Sequence, residues 1–430
     1  MGSRLTITIK KRSATERLVW LLIMMPFFLA FLNEFLGVSN AVRYLMDVVW
    51  GGLLLLMILN KRSLPGAVGG LALWVILFFL YTLMVYIVQY QSALYYLWGF
   101  RNNFRFYIAF FLFVRFLKQR EGEDYLKLFD GIFWLNAVVS VFQFFVLDLQ
   151  GDHLGGIFFT EAGGNGYTNI FFLIVITRSV VLYLEKREPV GLCAAKLMTA
   201  VAVAAMAELK FFFAELILVI VLASLFSRFS WRKLWTILGG CLVIAAGAVV
   251  LARLYPIFSD FFSYRWFLNE AMSAKGYTYD GDLNRLNAIP MINELWLKNW
   301  GQRLFGLGLG NCDTSGFAFL NTPFFQRNGD LHYIWMSYAM IYLECGYVGL
   351  AFFWGFFVLL FFKLCRMEKK AEGGMISTCR IARILAILCI VISVYNGSLR
   401  MEAGYMVYFV LAIPFARYRQ NRSEGKKVPC

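Results

Sequence analysis

The sequence predicts an all-α polytopic membrane protein, with about twelve transmembrane helices and one large extracytoplasmic loop between the ninth and tenth. Three observations predict it. The 430 residues are 60% hydrophobic and only 16% charged, where soluble chains run roughly 45–50% apolar and about 25% charged. Mean hydropathy is +0.65, too apolar for a polar surface to cover. Finally, apolar runs near the roughly 20 residues a spanning helix needs recur along the whole chain.

In order, the runs fall at 18–36, 41–59, 67–88, 104–117, 126–147, 166–184, 190–207, 211–227, 234–252, 345–363, 381–398 and 403–416. The first is long enough to span and lacks a small-residue cleavage site, so it reads as a helix rather than a cleavable signal. Basic residues gather between runs: Lys10 to Arg12, Lys61 and Arg62, Lys118 and Arg120, Lys186 and Arg187, Arg228 to Lys233, Lys363 to Lys370, and Arg417 to Lys427. Placing the first cluster inside and alternating outward puts all of these on the cytoplasmic side, as the positive-inside bias requires. Both termini then face the cytoplasm. The net charge of +15 is therefore a topology signal, and a nucleic-acid partner is not expected.

Four segments follow: 1–252 with helices 1 to 9, an extracytoplasmic loop 253–330, helices 10 to 12 within 331–417, and a short cytoplasmic tail 418–430. The loop holds seven basic and seven acidic residues and keeps its aromatics, so it reads as folded rather than as a linker. Its stretch Asn284 to Trp300 has apolar residues at helical spacing and predicts an amphipathic surface helix. Ordered long loops usually carry function. The eight cysteines are scattered with no CxxC pair, as buried small hydrophobes would be.

Within the loop, QRLFGLGLGN (302–311) spaces three glycines in a way that resembles a dinucleotide fingerprint. That fingerprint needs a strand before the glycines and a helix after them. Here an expected helix precedes them, so a tight turn near a neighbouring helix is the better reading and no cofactor is expected. The acids Asp280, Asp282, Asp313 and Asp330 are dispersed, no HExxH appears, and no metal site is read.

Ionisable residues at membrane depth default to functional hypotheses. Arg101 and Arg105 lie one turn apart at the outer end of the fourth run, where paired guanidiniums suit a phosphate or diphosphate; snorkelling to lipid is the plain alternative. Lys210 sits at another outer boundary beside Glu208. The only histidines, His153 and His332, both fall on the outer side; a neutral imidazole there could take a proton from a hydroxyl. Arg285 and Glu294 lie along the expected amphipathic helix, where solvated surface charge is the plain alternative. Arg178, inside the sixth run, is the one feature that leans toward transport.

The order of these features resembles the O-antigen polymerase and O-antigen ligase superfamily. The matching pattern is an Arg in an outer helix, a Gly-rich loop, and a His at the head of a helix ending in Glu-x-Gly-x-x-Gly: here Arg285, LFGLGLGN, His332 and ECGYVGL. The earlier segment HLGGIFFTEAGGNGYTNI is similar to a second outer motif ending at Asn165, though His153 stands where Arg is common; Lys210 matches a basic position but Leu209 replaces its Ser. The resemblance implies inverting, metal-independent glycosyl transfer on the outer face of a bacterial plasma membrane. The donor would be an oligosaccharide on undecaprenyl diphosphate, handled among membrane lipids with a chain-length regulator protein as a further partner. His332 and Arg285 would be catalytic, and Arg101, Arg105, Lys210, Asn165, His153 and Glu294 would bind diphosphate or glycan. A polymerase of repeat units is expected; a ligase to lipid core or protein, or a flippase of the same lipid-linked glycan, are the alternatives.

Overall fold

The computed structural model describes residues 13–60, 64–118, 121–160, 163–227, 231–254, 276–278 and 281–423. Among them there is no strand, only an isolated antiparallel bridge between Tyr277 and Leu283. Nine helices precede the long connection: α1 (Ala14–Ala30, prolonged by a π turn Phe31–Phe35), α2 (Leu45–Leu59), α3 (Gly66–Val88), α4 (Ala93–Phe116), α5 (Glu121–Val146), α6 (Gly164–Leu184), α7 (Val190–Met206), α8 (Phe212–Phe226) and α9 (Trp231–Leu254). Three short ones follow: α10 (Ala288–Leu295), α11 (Trp300–Phe305) and α12 (Pro323–Asn328). The last three are long: α13 (Ser337–Glu368), α14 (Gly374–Tyr395) and α15 (Gly404–Ser423).

A helix falls on each apolar run. Seven are long and apolar enough to cross a membrane: Ala14–Phe35, Ala41–Leu59, Gly66–Val88, Glu121–Val146, Gly164–Leu184, Ser337–Glu368 and Gly374–Tyr395. The chain is thus an all-α membrane-type bundle. Other helices fall short for physical reasons. α4 carries Arg101, Arg105 and Arg115, while α7 and α8 have 17 and 15 residues, about 26 and 23 Å at 1.5 Å per residue. The belt of the bundle is apolar: Leu55, Leu80, Ile87, Leu135, Phe142 and Met198 are all exposed. Such a continuous surface suits lipid, not water.

Ion pairs mark two ends. At one, Lys118 pairs with Glu16, Arg417 with Glu123, and Arg380 with Glu185 and Glu368, so the start of α1 and the finish of α15 share an end. We call this the tail end; the opposite, loop end carries the α9–α13 connection. α6 runs through the centre, with 89% of its most apolar window buried, and several of its buried polar groups are bonded inside the bundle, as Asn169 is to Glu215 at 3.0 Å. α4, α13 and α15 meet through aromatic side chains, among them Tyr107 on Phe356 at 4.8 Å and Phe106 on Tyr405 at 5.0 Å.

Three boundaries differ from the sequence reading. α4 starts at Ala93, because Arg101 to Arg105 find buried partners and stay inside the helix. The expected amphipathic helix over 284–300 is shorter, α10 at Ala288–Leu295, and α11 begins only at Trp300. The second starts afresh because Asn299 caps it, its Oδ1 accepting from Gln302 N at 2.8 Å. α15 continues to Ser423, past the expected boundary at 417; residues 424–430 of the expected tail, and much of 253–280, lie outside the described residues.

Candidate functional site

The glycine loop answers its own question through geometry. Gly306, Gly308 and Gly310 all have positive φ, at 74°, 96° and 87°. A Cβ on Gly306 would lie 2.3 Å from the Glu344 carbonyl carbon, and one on Gly310 would lie 1.9 Å from Tyr95 O on α4. No side chain fits there. The loop serves α13, which breaks at Gly346 (φ 63°, ψ −166°). The break strips helical donors from the carbonyls before it, and other groups replace them. Leu343 O accepts from Leu307 N at 2.9 Å, Glu344 O from Gly308 N at 2.7 Å, and Cys345 O from the Tyr81 hydroxyl at 2.6 Å. Gln89 and Gln91 in turn donate to Gly306 O and Leu307 O. A helix precedes the glycines, not a strand, so the dinucleotide reading fails.

Around this loop lies a buried ionic network. Arg101 pairs with Asp47 at 2.8 Å and stacks beside Tyr44 and Trp98, while Arg105, 2% exposed, pairs with Glu402 at 3.0 Å. The neighbouring guanidinium spacing therefore does not aim both groups at one ligand; each has its own carboxylate. Arg400 donates to Asp313 Oδ2 at 2.9 Å, and Asn102 donates to the same oxygen at 2.8 Å. Tyr167 donates to Glu402 at 2.8 Å. Burial alone would raise the Glu402 carboxyl, but the Arg105 and Arg43 guanidiniums outweigh it and hold it down at about 2. Cys312, whose N–H donates to the buried Glu344 carboxylate at 3.2 Å, is no nucleophile: burial, then the Glu344 and Asp313 charges, push its thiol well above the usual value.

A second cluster is more open. His332 lies not on a helix but between two 3-10 turns, Gly329–Leu331 and Tyr333–Trp335, with left-handed backbone at φ 51°. Its Nδ1 is 2.5 Å from Asp282 Oδ1, and its ring stacks on Trp335 with centroids 3.8 Å apart. In a neutral imidazole this contact places the proton on Nδ1 and leaves the lone pair on Nε2, because a carboxylate only accepts. The imidazole is 38% exposed. Arg285 is tied to the same place: Leu283 N donates to Leu331 O at 3.1 Å, joining the two chain segments next to both residues. Its Nε donates to Tyr395 O at 3.0 Å and its guanidinium lies 4.5 Å over the Tyr395 ring. Among the described residues no carboxylate pairs with it.

The remaining expected residues divide. Lys210 precedes Phe211, which stacks on Tyr395 at 4.2 Å, so the α7–α8 turn adjoins Arg285. Asn165 donates to Asp152 at 2.7 Å and to Ala207 O at 3.2 Å, holding that same turn. His153 is exposed, with its Nδ1 2.9 Å from Thr160 O. Glu294 is exposed on α10, outside the ion pairs of the described residues. Arg178 pairs with Asp130, which also takes Lys196 at 3.0 Å. Sequence reasoning missed Asp282, Tyr395, Arg400 and Glu402. The last two had a signal: two opposite charges in the brief connection between the last two apolar runs.

No family model matches the chain, and no curated protein matches it.

Proposed function

We propose that this chain polymerises oligosaccharide repeat units carried on undecaprenyl diphosphate, by inverting, metal-independent glycosyl transfer at the outer face of a bacterial plasma membrane. In this reading all twelve apolar runs span, both termini are cytoplasmic, and the loop end is outside. The observation that carries it is the part-exposed His332 imidazole, held by Asp282 and joined through chain pairing to Arg285, which pairs with no carboxylate among the described residues.

The chemistry follows from that arrangement. The acceptor sugar hydroxyl gives its proton to His332 Nε2 as its oxygen bonds to the donor's anomeric carbon. The bond from that carbon to the diphosphate oxygen breaks, and the electron pair leaves with the lipid diphosphate. Asp282 keeps the imidazole in the right tautomer and stabilises the imidazolium that forms. Arg285 meets the developing diphosphate charge with two parallel N–H groups. Attack opposite the leaving group inverts the anomeric centre.

The test uses purified protein in detergent with a synthetic lipid-linked repeat unit, EDTA and no nucleotide. A ladder of lengthening lipid-linked glycans supports the proposal. Transfer only to an added lipid core or protein would replace it with a ligase. No transfer, together with movement of the lipid-linked unit across a vesicle membrane, would replace it with a transporter.

A further inference from the structure

A sizeable cavity in the bundle lies far from the glycine loop. It lies at the tail end between α6, α7, α8 and α9, has a volume of about 790 Å³, and is walled by Tyr183, Val190, Leu197, Ile220, Trp235 and Val243. A water-filled site of that size would be polar; this wall is almost wholly apolar. Its rim is not. Lys186 and Arg187 both line it and both are exposed. The one acid there, Glu188, is buried and turned to internal partners, with Lys196 Nζ at 3.3 Å and the Ser179 hydroxyl beside it. The rim therefore presents the Lys186 ammonium and the Arg187 guanidinium, whose Nη1 also donates to the Ser377 hydroxyl at 2.6 Å, over an apolar chamber.

The backbone underlines the choice of Lys186. α6 ends in a Schellman turn, with Arg187 N donating to Leu182 O at 2.8 Å and Lys186 N to Tyr183 O at 3.0 Å. The residue between must be left-handed, a place usually held by glycine or asparagine. Here Lys186 holds it at φ 62°. A long cation sits where local folding prefers a small residue, as Tyr90 and Glu208 do at the ends of α3 and α7.

We infer that this cavity is a binding site for an anionic phospholipid of the tail-end leaflet, its phosphate held by Lys186 and Arg187 and an acyl chain filling the chamber. A headgroup phosphate matches the rim, a hydrocarbon chain matches the wall, and only a lipid offers both. The site lies in the half of the bundle opposite His332 and Arg285, so it stands whether or not the chain transfers sugars.

The experiment is native mass spectrometry of the intact chain released from detergent with phosphatidylglycerol or phosphatidylcholine of identical acyl chains. The expected result is preferential retention of phosphatidylglycerol. Lys186→Gly should lower that preference by roughly fivefold, as one cation near a charged headgroup implies, without lowering the melting temperature, because glycine suits the turn. Ala194→Phe, narrowing the chamber, should lower retention of both lipids. Equal retention of the two lipids by the native chain would overturn the assignment, as would an unchanged preference in Lys186→Gly. Glycerol phosphate alone should not compete; if it did, the apolar chamber would have no part in binding.

Discussion

Replacing Glu402 by Gln removes the charge that answers Arg105 while keeping the shape. Arg105 would keep its bond to Arg400 O at 2.9 Å and at best a neutral amide acceptor in place of the carboxylate, in a site where it is 2% exposed. Two routes give the magnitude. Breaking one side of a buried ion pair costs about 3–5 kcal/mol. Independently, a carboxyl lowered from 4.5 to about 2 corresponds to about 3 kcal/mol at 1.36 kcal/mol per unit. The sign follows from the depressed value: this stabilisation is fully present above about pH 4.5 and is lost as pH falls through about 2. Denaturant unfolding in detergent should therefore show Glu402→Gln destabilised by about 3 kcal/mol, with an unchanged difference between pH 8 and pH 6. The pair Arg105→Gln and Glu402→Gln together should cost less than the sum of the two alone. A single-variant loss below about 1 kcal/mol, the range of exposed pairs, would refute a buried, mutually dependent pair, as would a difference that closes between pH 8 and pH 6.

Asp282→Asn should cut turnover by roughly 100-fold or more, with a much smaller effect on substrate affinity, since it disturbs His332 without touching a ligand; steady-state kinetics on lipid-linked substrate would check it. His332→Ala should abolish glycan product while the protein still inserts and elutes normally. Arg285→Lys should fail to restore activity despite keeping a positive charge, because one ammonium cannot make two parallel phosphate contacts; full activity would leave Arg285 a surface charge. Gly310→Ala should abolish folded material on size-exclusion chromatography, adding about 1–2 kcal/mol of left-handed strain to a direct clash with α4, whereas Gly316→Ala, with open space around it, should elute normally.

Hydrophobicity made the helices legible because lipid exposure constrains every residue of a run at once. The start of α4 was not legible: WGFRNNFR reads as a break in the apolar run, and it becomes helix interior only because Asp47, Asp313, Arg400 and Glu402 arrive from other elements. The site residues divide in the same way. His332 stood out by its rarity and its place in the chain. Its partner Asp282 is 50 residues away among several similar acids, and no local pattern selects it. Arg101 and Arg105 looked like ligand-facing groups from their spacing alone, whereas their carboxylates come from α2 and from the connection before α15. The glycine triplet announced a tight approach; that it would mend a broken helix depended on Gly346, which the ECGYVGL stretch contains without revealing a bend.

The mended helix has a consequence for how the protein is made. Gln91 waits for Leu307, 216 residues later, and Tyr81 for Cys345, 264 residues later. At roughly 5–20 residues per second of synthesis, that delay is about 10–50 s. Throughout it, the α3–α4 segment carries polar groups whose final partners have not yet left the ribosome. Gln91, in the connection between the two helices, can turn to solvent meanwhile. A Gln91→Leu chain would lack that temporary solution and its final bond alike, so it should be lost to degradation during assembly rather than after it, with pulse-labelled protein disappearing before it becomes protease-resistant.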